Sequence, residues 1–211
     1  LTYGAIDEGF RHSITKLSNL RCPSTVEYAS RIIQLGEEPW RISVSGALAL
    51  DGFHAIANAT RAEIAARTGL DLSLDPFLIT FHPATLESTD PGEQATELLA
   101  ALESFPNPLL FPLPNADPGS GKIRECFEKF AAITPRARLV ANLGSRYYAS
   151  VLKIAAVMAG NSSSGLIEAP SFGLPVVNIG SRQDGRVRGR NVIDCAPDRT
   201  RIRSAIERAL T

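Results

Sequence analysis

Three cysteines in 211 residues, Cys22, Cys126 and Cys195, are odd in number, far apart and never in Cys-x-x-Cys spacing. That scarcity argues against a disulfide scaffold and a thiolate metal site, and predicts a reduced cytosolic protein with buried thiols. Net charge is also lacking, with 22 Lys+Arg set against 22 Asp+Glu. Nucleic acid and anionic membrane both demand a basic surplus, so neither is expected as the main partner. No apolar run approaches the roughly 20 residues of a membrane span, and no secretory leader opens the chain. These absences together predict a cytoplasmic location. The chain opens at Leu1 in the middle of a motif, which predicts a fragment of a longer protein.

What is present suffices for a sizeable core, with 44% apolar residues. Apolar β-type runs at 41–45, 77–82, 109–114, 137–142, 156–160 and 175–179 alternate with helical stretches. The helices are expected near 25–35, 51–68, 91–104, 118–132, 146–154, 165–172 and 198–210. Alternation of this kind predicts βαβ units and a Rossmann-like, doubly wound parallel sheet. Gly36 and Gly69 stand where left-handed helix caps belong, and Asp117-Pro118 reads as an N-cap with a first-turn proline. A boundary near Gly46 divides residues 1–45, the last pieces of one unit, from a complete domain at 46–211. Ligands of such sheets bind beyond the carboxyl ends of the strands, and the polar residues here do follow strands.

Asn161-Ser162-Ser163-Ser164-Gly165 follows one strand and opens a helix. Amides at a helix start, joined by hydroxyls and small neighbours, suit a phosphate. A lone serine would merely cap the helix; three between glycines favour the anion. Glu168, one turn on, could accept from two ribose hydroxyls or simply face the helix dipole. Arg182, Arg186, Arg188 and Arg190 crowd a Gly-rich loop after the next strand, either as a solvated loop or as a second anion clamp. His82 ends a strand at the same edge, where imidazole could donate to a phosphate or titrate near neutrality. Asn115 also follows a strand and could line the pocket. In the stretch 4–16, Asp7–Arg11 and Glu8–His12 are i,i+4 pairs on one helix face. They could be surface ion pairs or an acid/base cluster lining a cleft, and spacing does not separate the two.

The blocks GNSSSGLIEAPSFGLPVVNIGSRQDGR, TFHPATLE, PLPNADPGSG and GAIDEGFRHSITKLSNL together resemble the hydrolysing UDP-N-acetylglucosamine 2-epimerases of sialic- and nonulosonic-acid pathways. The resemblance runs from Tyr3 to about Asp194. It implies the C-terminal half of a GT-B fold, with a nucleotide sugar held in the cleft between two Rossmann-like domains. It implies nucleotide or substrate binding by Asn115, Leu143, Ser162, Ser163, Ser164, Glu168 and Arg182. Asp7, Glu8, Arg11, His12 and His82 are implied as the catalytic group. The implied chemistry is UDP elimination with loss of the C2 proton, then hydration of a glycal-type intermediate to N-acetylmannosamine. No metal or other cofactor is implied, and a homo-oligomer is expected of the full-length protein. GALALD at 46–51 departs from the family's hinge pattern, and the His-Gly-Gly-Glu segment expected upstream of Leu1 is not in the chain. A non-hydrolysing epimerase, a GT-B glycosyltransferase and an inactive nucleotide-sugar-binding module are the alternatives.

Overall fold

The computed structural model describes residues 7–84, 89–114 and 116–211, Asp7 through its backbone alone. Helices α1 (Asp7–Leu17) and α2 (Val26–Gln34) open it. Around them two short extended stretches run side by side in parallel, joined by one bridge between Arg21 and Ile42. Arg21 is buried in this small unit, where it ion-pairs with Glu37 and donates to Thr15 O at 3.0 Å. The strand expected at 41–45 is therefore only this bridge, preceded by a 3₁₀ turn at Pro39–Arg41. It has a single neighbour to pair with, and an apolar run without a ladder does not make a strand.

The chain then turns at Gly46, whose φ of +80° lies in the left-handed region. The single helix expected at 51–68 breaks into α3 (Phe53–Ile56) and α4 (Arg61–Thr68). The break is chemical. Thr60 Oγ1 accepts from Glu63 N while the Glu63 carboxylate accepts from Thr60 N at 2.8 Å, a capping box that starts a new helix.

Six parallel strands follow: β1 (Phe77–Thr80), β2 (Leu109–Pro112), β3 (Ala137–Val140), β4 (Val157–Gly160), β5 (Val176–Ile179) and β6 (Val192–Cys195). Their spatial order is β3-β2-β1-β4-β5-β6. Helices α5 (Pro91–Leu102), α6 (Ser120–Ile133), α7 (Ser145–Ile154), α8 (Ser164–Ile167) and α9 (Arg199–Ala209) make the connections and the close. Alternation along each strand feeds two cores. Phe77, Ile79, Leu109, Phe111, Val157, Ala159, Val177 and Ile179 meet α5, α6 and α9 on one face. Leu78, Leu110, Met158 and Val176 meet α3, α4 and α7 on the other. Burial on both faces explains why the central strands read as unbroken apolar runs. Each large side chain so buried contributes about 1.5–3 kcal/mol of transfer free energy.

Two local expectations need correction. Asp117 does not cap α6, which starts at Ser120 behind Gly119 with no side-chain cap; the Asp117 carbonyl instead accepts from Ser120 N. Cys22 is exposed rather than buried, and Cys126 and Cys195 are half-buried, with all three thiols unpaired to one another. Gly69 does end α4 with φ +70°, as its position predicted. Among the described residues, no helix is long and apolar enough to cross a membrane.

Candidate functional site

β1 and β4 lie side by side, yet the chain leaves them in opposite directions. After β1 it passes to α5 on one face, and after β4 to α8 and a 3₁₀ turn (Ala169–Phe172) on the other. Strand order reverses here, which opens a crevice beyond the carboxyl ends, the place where such sheets take ligands. His82 follows β1 and Ser162 follows β4, so the expected ligand edge is where these residues meet.

The floor of the crevice is built by close backbone approach. Gly160 has φ +145°, and a Cβ there would stand 2.0 Å from Thr80 O. Asn161, 2% exposed, then stitches the two strand ends together. Its Oδ1 accepts from His82 N at 2.8 Å, its Nδ2 donates to His82 O at 2.8 Å, and its own amide donates to Thr80 O at 3.0 Å. A primary amide matches a peptide's donor and acceptor in one plane, so residue 82 is held at two points. The Asn161 carbonyl accepts from Arg182 Nη1 at 3.1 Å and Gln183 Nε2 at 2.7 Å, while Arg182 Nε donates to Pro83 O at 3.2 Å. Arg182 thus braces the crevice through main-chain acceptors, with Asp117 3.9 Å from its Nη2.

The serine turn divides in two. No hydrogen bond is made by the amides of Ser162 and Ser163 among the described residues, and both side chains are half-buried. Ser164 faces inward, 8% exposed, with its amide given to Ser162 Oγ at 3.3 Å and its own Oγ accepting from the Tyr148 hydroxyl at 2.7 Å. Gly165 lets α8 settle on β5, since a Cβ there would come within 2.8 Å of Val176 Cγ1. α8 is a single turn with Glu168 as its C-terminal cap, not the longer helix expected at 165–172; Pro170 lies in the 3₁₀ turn that replaces it. Glu168 is half-buried beside Tyr148.

The arginine loop is largely tied to itself. Arg188 donates to Asp194, Asp184 and the Arg186 carbonyl at 2.9–3.1 Å, and Arg190 is exposed. Arg188 therefore holds the loop. β6, missing from the expected strands, supplies Asp194, which also accepts from buried Asn178 at 2.7 Å.

A cavity of about 790 Å³ is lined in part by α8. Glu8, Arg11 and His12 of α1 line one wall; Leu166 and Ile167 of α8 and Arg186–Gly189 of the loop line another. Glu8 Oε1 stands 3.0 Å from His12 Nε2. The i,i+4 pair therefore faces a cleft rather than open solvent. Tyr28 of α2 closes one end, its hydroxyl accepting from Val187 N at 3.0 Å.

The structure thus groups the expected residues in two places. His82, Ser162, Ser163 and Arg182 meet at the crevice; Glu8, Arg11 and His12 meet at the cavity, which α8 also lines through Leu166 and Ile167. Leu143 belongs to neither, its side chain buried in the core under α3, α4 and α7. Asn115 and the side chain of Asp7 lie outside the described residues. Asn161, Gln183 and Tyr148 are the residues that sequence reasoning missed. Asn161 had one signal, an amide directly after a strand-ending glycine, but its partner is 79 residues away. Among the described residues no group of three or more His, Cys, Asp or Glu is arranged to hold a metal ion.

Known proteins resemble the chain at the level of family and fold. A family model described as UDP-N-acetylglucosamine 2-epimerase matches residues 1–211. A GDP/UDP-N,N'-diacetylbacillosamine 2-epimerase (hydrolyzing) of Campylobacter jejuni is 39% identical over 92% of this chain and 51% of its own length. The polysialic acid biosynthesis protein P7 of Escherichia coli is 38% identical over 95% of this chain and 51% of its own length. The chain spans about half the length of the curated relatives it matches. Among solved structures, the UDP-GlcNAc 2-epimerase of Neisseria meningitidis bound to UDP-GlcNAc superposes with TM-score 0.80, covering 98% of this chain and 57% of that one at 14% identity. An S. aureus MnaA–UDP co-structure gives 0.74 over 96% and 53% at 18% identity. At such identities the structural likeness speaks for the fold, and it agrees with a Rossmann-like C-terminal half of a GT-B architecture. Matched along its whole length by the family model, the chain belongs to the UDP-N-acetylglucosamine 2-epimerase family.

Proposed function

We propose that this chain carries the nucleotide-binding half of a hydrolysing UDP-sugar 2-epimerase, with UDP-N-acetylglucosamine or its diacetylated bacillosamine-type counterpart as substrate. The observation that carries the reading is the pair of unengaged amides, Ser162 and Ser163, at the crevice where β1 and β4 part. They offer two donors to a diphosphate oxygen without first breaking an internal bond. The hydrolysing 2-epimerases among the relatives, at 39% and 36% identity, support the reaction type.

In this reading the base and ribose lie along the sheet edge, Glu168 accepts from ribose hydroxyls, and the diphosphate sits on the serine turn. His82, held at two points by Asn161, stands beside it as a donor. Breaking the C1–O bond expels UDP as an anion, and donors fixed in advance stabilise that charge without reorganisation. The C2 proton is lost in the same elimination. Water then adds across the resulting double bond, hydroxyl to C1 and proton to C2, releasing the free 2-epimer. Glu8, paired with His12 in the cleft, is the group on this chain placed to move those protons. Residues 1–45 are read as part of the opposite, N-terminal domain, and 46–211 as the nucleotide domain.

Calorimetry with UDP tests the binding half, and NMR of the sugar released from UDP-N-acetylglucosamine by the longest natural form of the protein tests the reaction. Free N-acetylmannosamine plus UDP is the expected product. An epimerised sugar still joined to UDP would replace this reading with the non-hydrolysing one. Glu8→Gln in that form should lower turnover about 10²–10⁴-fold with UDP affinity unchanged; unchanged turnover returns α1 to a set of surface ion pairs.

A further inference from the structure

The serine turn is held from behind by a residue outside the recognised blocks. Tyr148 stands on α7, whose Ala149, Val151 and Leu152 are buried in the core. Ser150 beside it accepts from Ala59 N at 2.9 Å and donates to Arg146 O at 2.8 Å. A side chain leaving so anchored a helix delivers its hydroxyl to one spot. That spot is Ser164 Oγ, 2.7 Å away. Burial pushes the phenol well above its ordinary range, and the nearby Glu168 charge adds to the upward push. The group is therefore a neutral donor throughout the physiological pH range.

A serine has one proton and two lone pairs. Tyr148 fills an acceptor position on Ser164, so the serine's own proton must go elsewhere, and no described residue accepts it. Accepting one bond also makes a hydroxyl a stronger donor of the next. The Ser164 amide meanwhile donates to Ser162 Oγ, so the conformation of the exposed part of the turn is linked to Tyr148 through two successive bonds.

We propose that Tyr148 is a positioning residue for diphosphate binding: it locks the 162–164 turn with the Ser162 and Ser163 amides outward and sends the Ser164 proton toward the bound ligand. The inference rests on the nucleotide reading above and extends it to a residue that touches no nucleotide itself.

Calorimetric titration of UDP and of uridine into the parent chain, Tyr148→Phe, Ser164→Ala and the double variant tests it. Removing one net hydrogen bond should weaken UDP about threefold to tenfold in Tyr148→Phe, leave uridine unchanged, and move the melting temperature little. The double variant should bind UDP no more weakly than Ser164→Ala alone, because both substitutions delete one contact. Ser164→Ala, which keeps the tyrosine, reads the same contact should Tyr148→Phe lose stability. A parent chain that binds UDP beside a Tyr148→Phe variant that binds it equally well overturns the inference. So does an equal loss for UDP and uridine, which is what a merely structural role would give. A parent chain that binds no UDP overturns the nucleotide reading itself, and this inference with it.

Discussion

Individual side chains here do work that their type does not announce. Asn161 uses both ends of its amide on the backbone of residue 82, so it is a fastener first and a neighbour of the ligand second. Asn161→Ala removes both bonds to the main chain of residue 82, which should cost about 1–3 kcal/mol. A lower urea midpoint with an unchanged slope is the expected result; an unchanged midpoint would mean that residue 82 finds other partners. The cysteines separate by environment. Burial raises the Cys195 thiol to about 11, with the Asp194 charge acting in the same direction, whereas Cys22 is exposed. Since the thiolate is the reactive form, iodoacetamide at mildly alkaline pH should label Cys22 well before Cys195, as read by peptide mass spectrometry.

At the scale of elements, local signals had mixed outcomes: Gly69 ends α4 as its position predicted, whereas Asp117 does not cap α6. The capping box Thr60-x-x-Glu63, which the reading by apolar spacing passed over, splits the single helix expected at 51–68. Thr60→Ala should cost about 1 kcal/mol. The Glu63 carboxyl is held down to about 2, chiefly by the Thr60 amide and then by Arg146. Its folded value lies below its unfolded one, so its stabilising contribution is complete above the ordinary glutamate range and fades as pH falls from there toward 2. Glu63→Gln should flatten that part of the acid-unfolding curve, followed by circular dichroism. Signals failed where an element depended on its neighbours. β6 carries Asp194 and lies at the sheet edge, so it shows too little apolar run to be read, while 41–45 shows the run but lacks the ladder. The helix after the serines looked continuous because Glu168 and Pro170 sit in an otherwise apolar stretch, yet the chain tightens there into a 3₁₀ turn.

Over the whole molecule, two working surfaces share α8: the serine turn opens it, and its Leu166 and Ile167 line the cavity. Substitutions at either should therefore be separable: Glu8→Gln acts on turnover and Tyr148→Phe on diphosphate affinity. The unit built on α1 has a different character. Phe10, Ile14 and Leu17 recur at helical spacing with exposures of 67%, 63% and 85%. So wide an apolar stripe should bind a hydrophobic dye, and replacing all three with serine should abolish most of that fluorescence while leaving the melting temperature of the sheet domain in place. A dye signal that survives the replacement would locate the apolar surface elsewhere.

The sequence by itself determined a parallel α/β domain, the identity of its central strands, the clustering of polar residues after them, and the family. These follow from periodicity and from contiguous blocks, which neighbouring residues encode together. Only the tertiary structure decided that β1 and β4 are adjacent, that Asn161 fastens residue 82, that Arg182 donates to Asn161 O and Pro83 O, and that Tyr148 stands behind Ser164. Each of those depends on single polar atoms meeting across the turn of a sheet or between separate elements, and such meetings have no period along the chain. Strand order decides them, and strand order is a property of the packed whole.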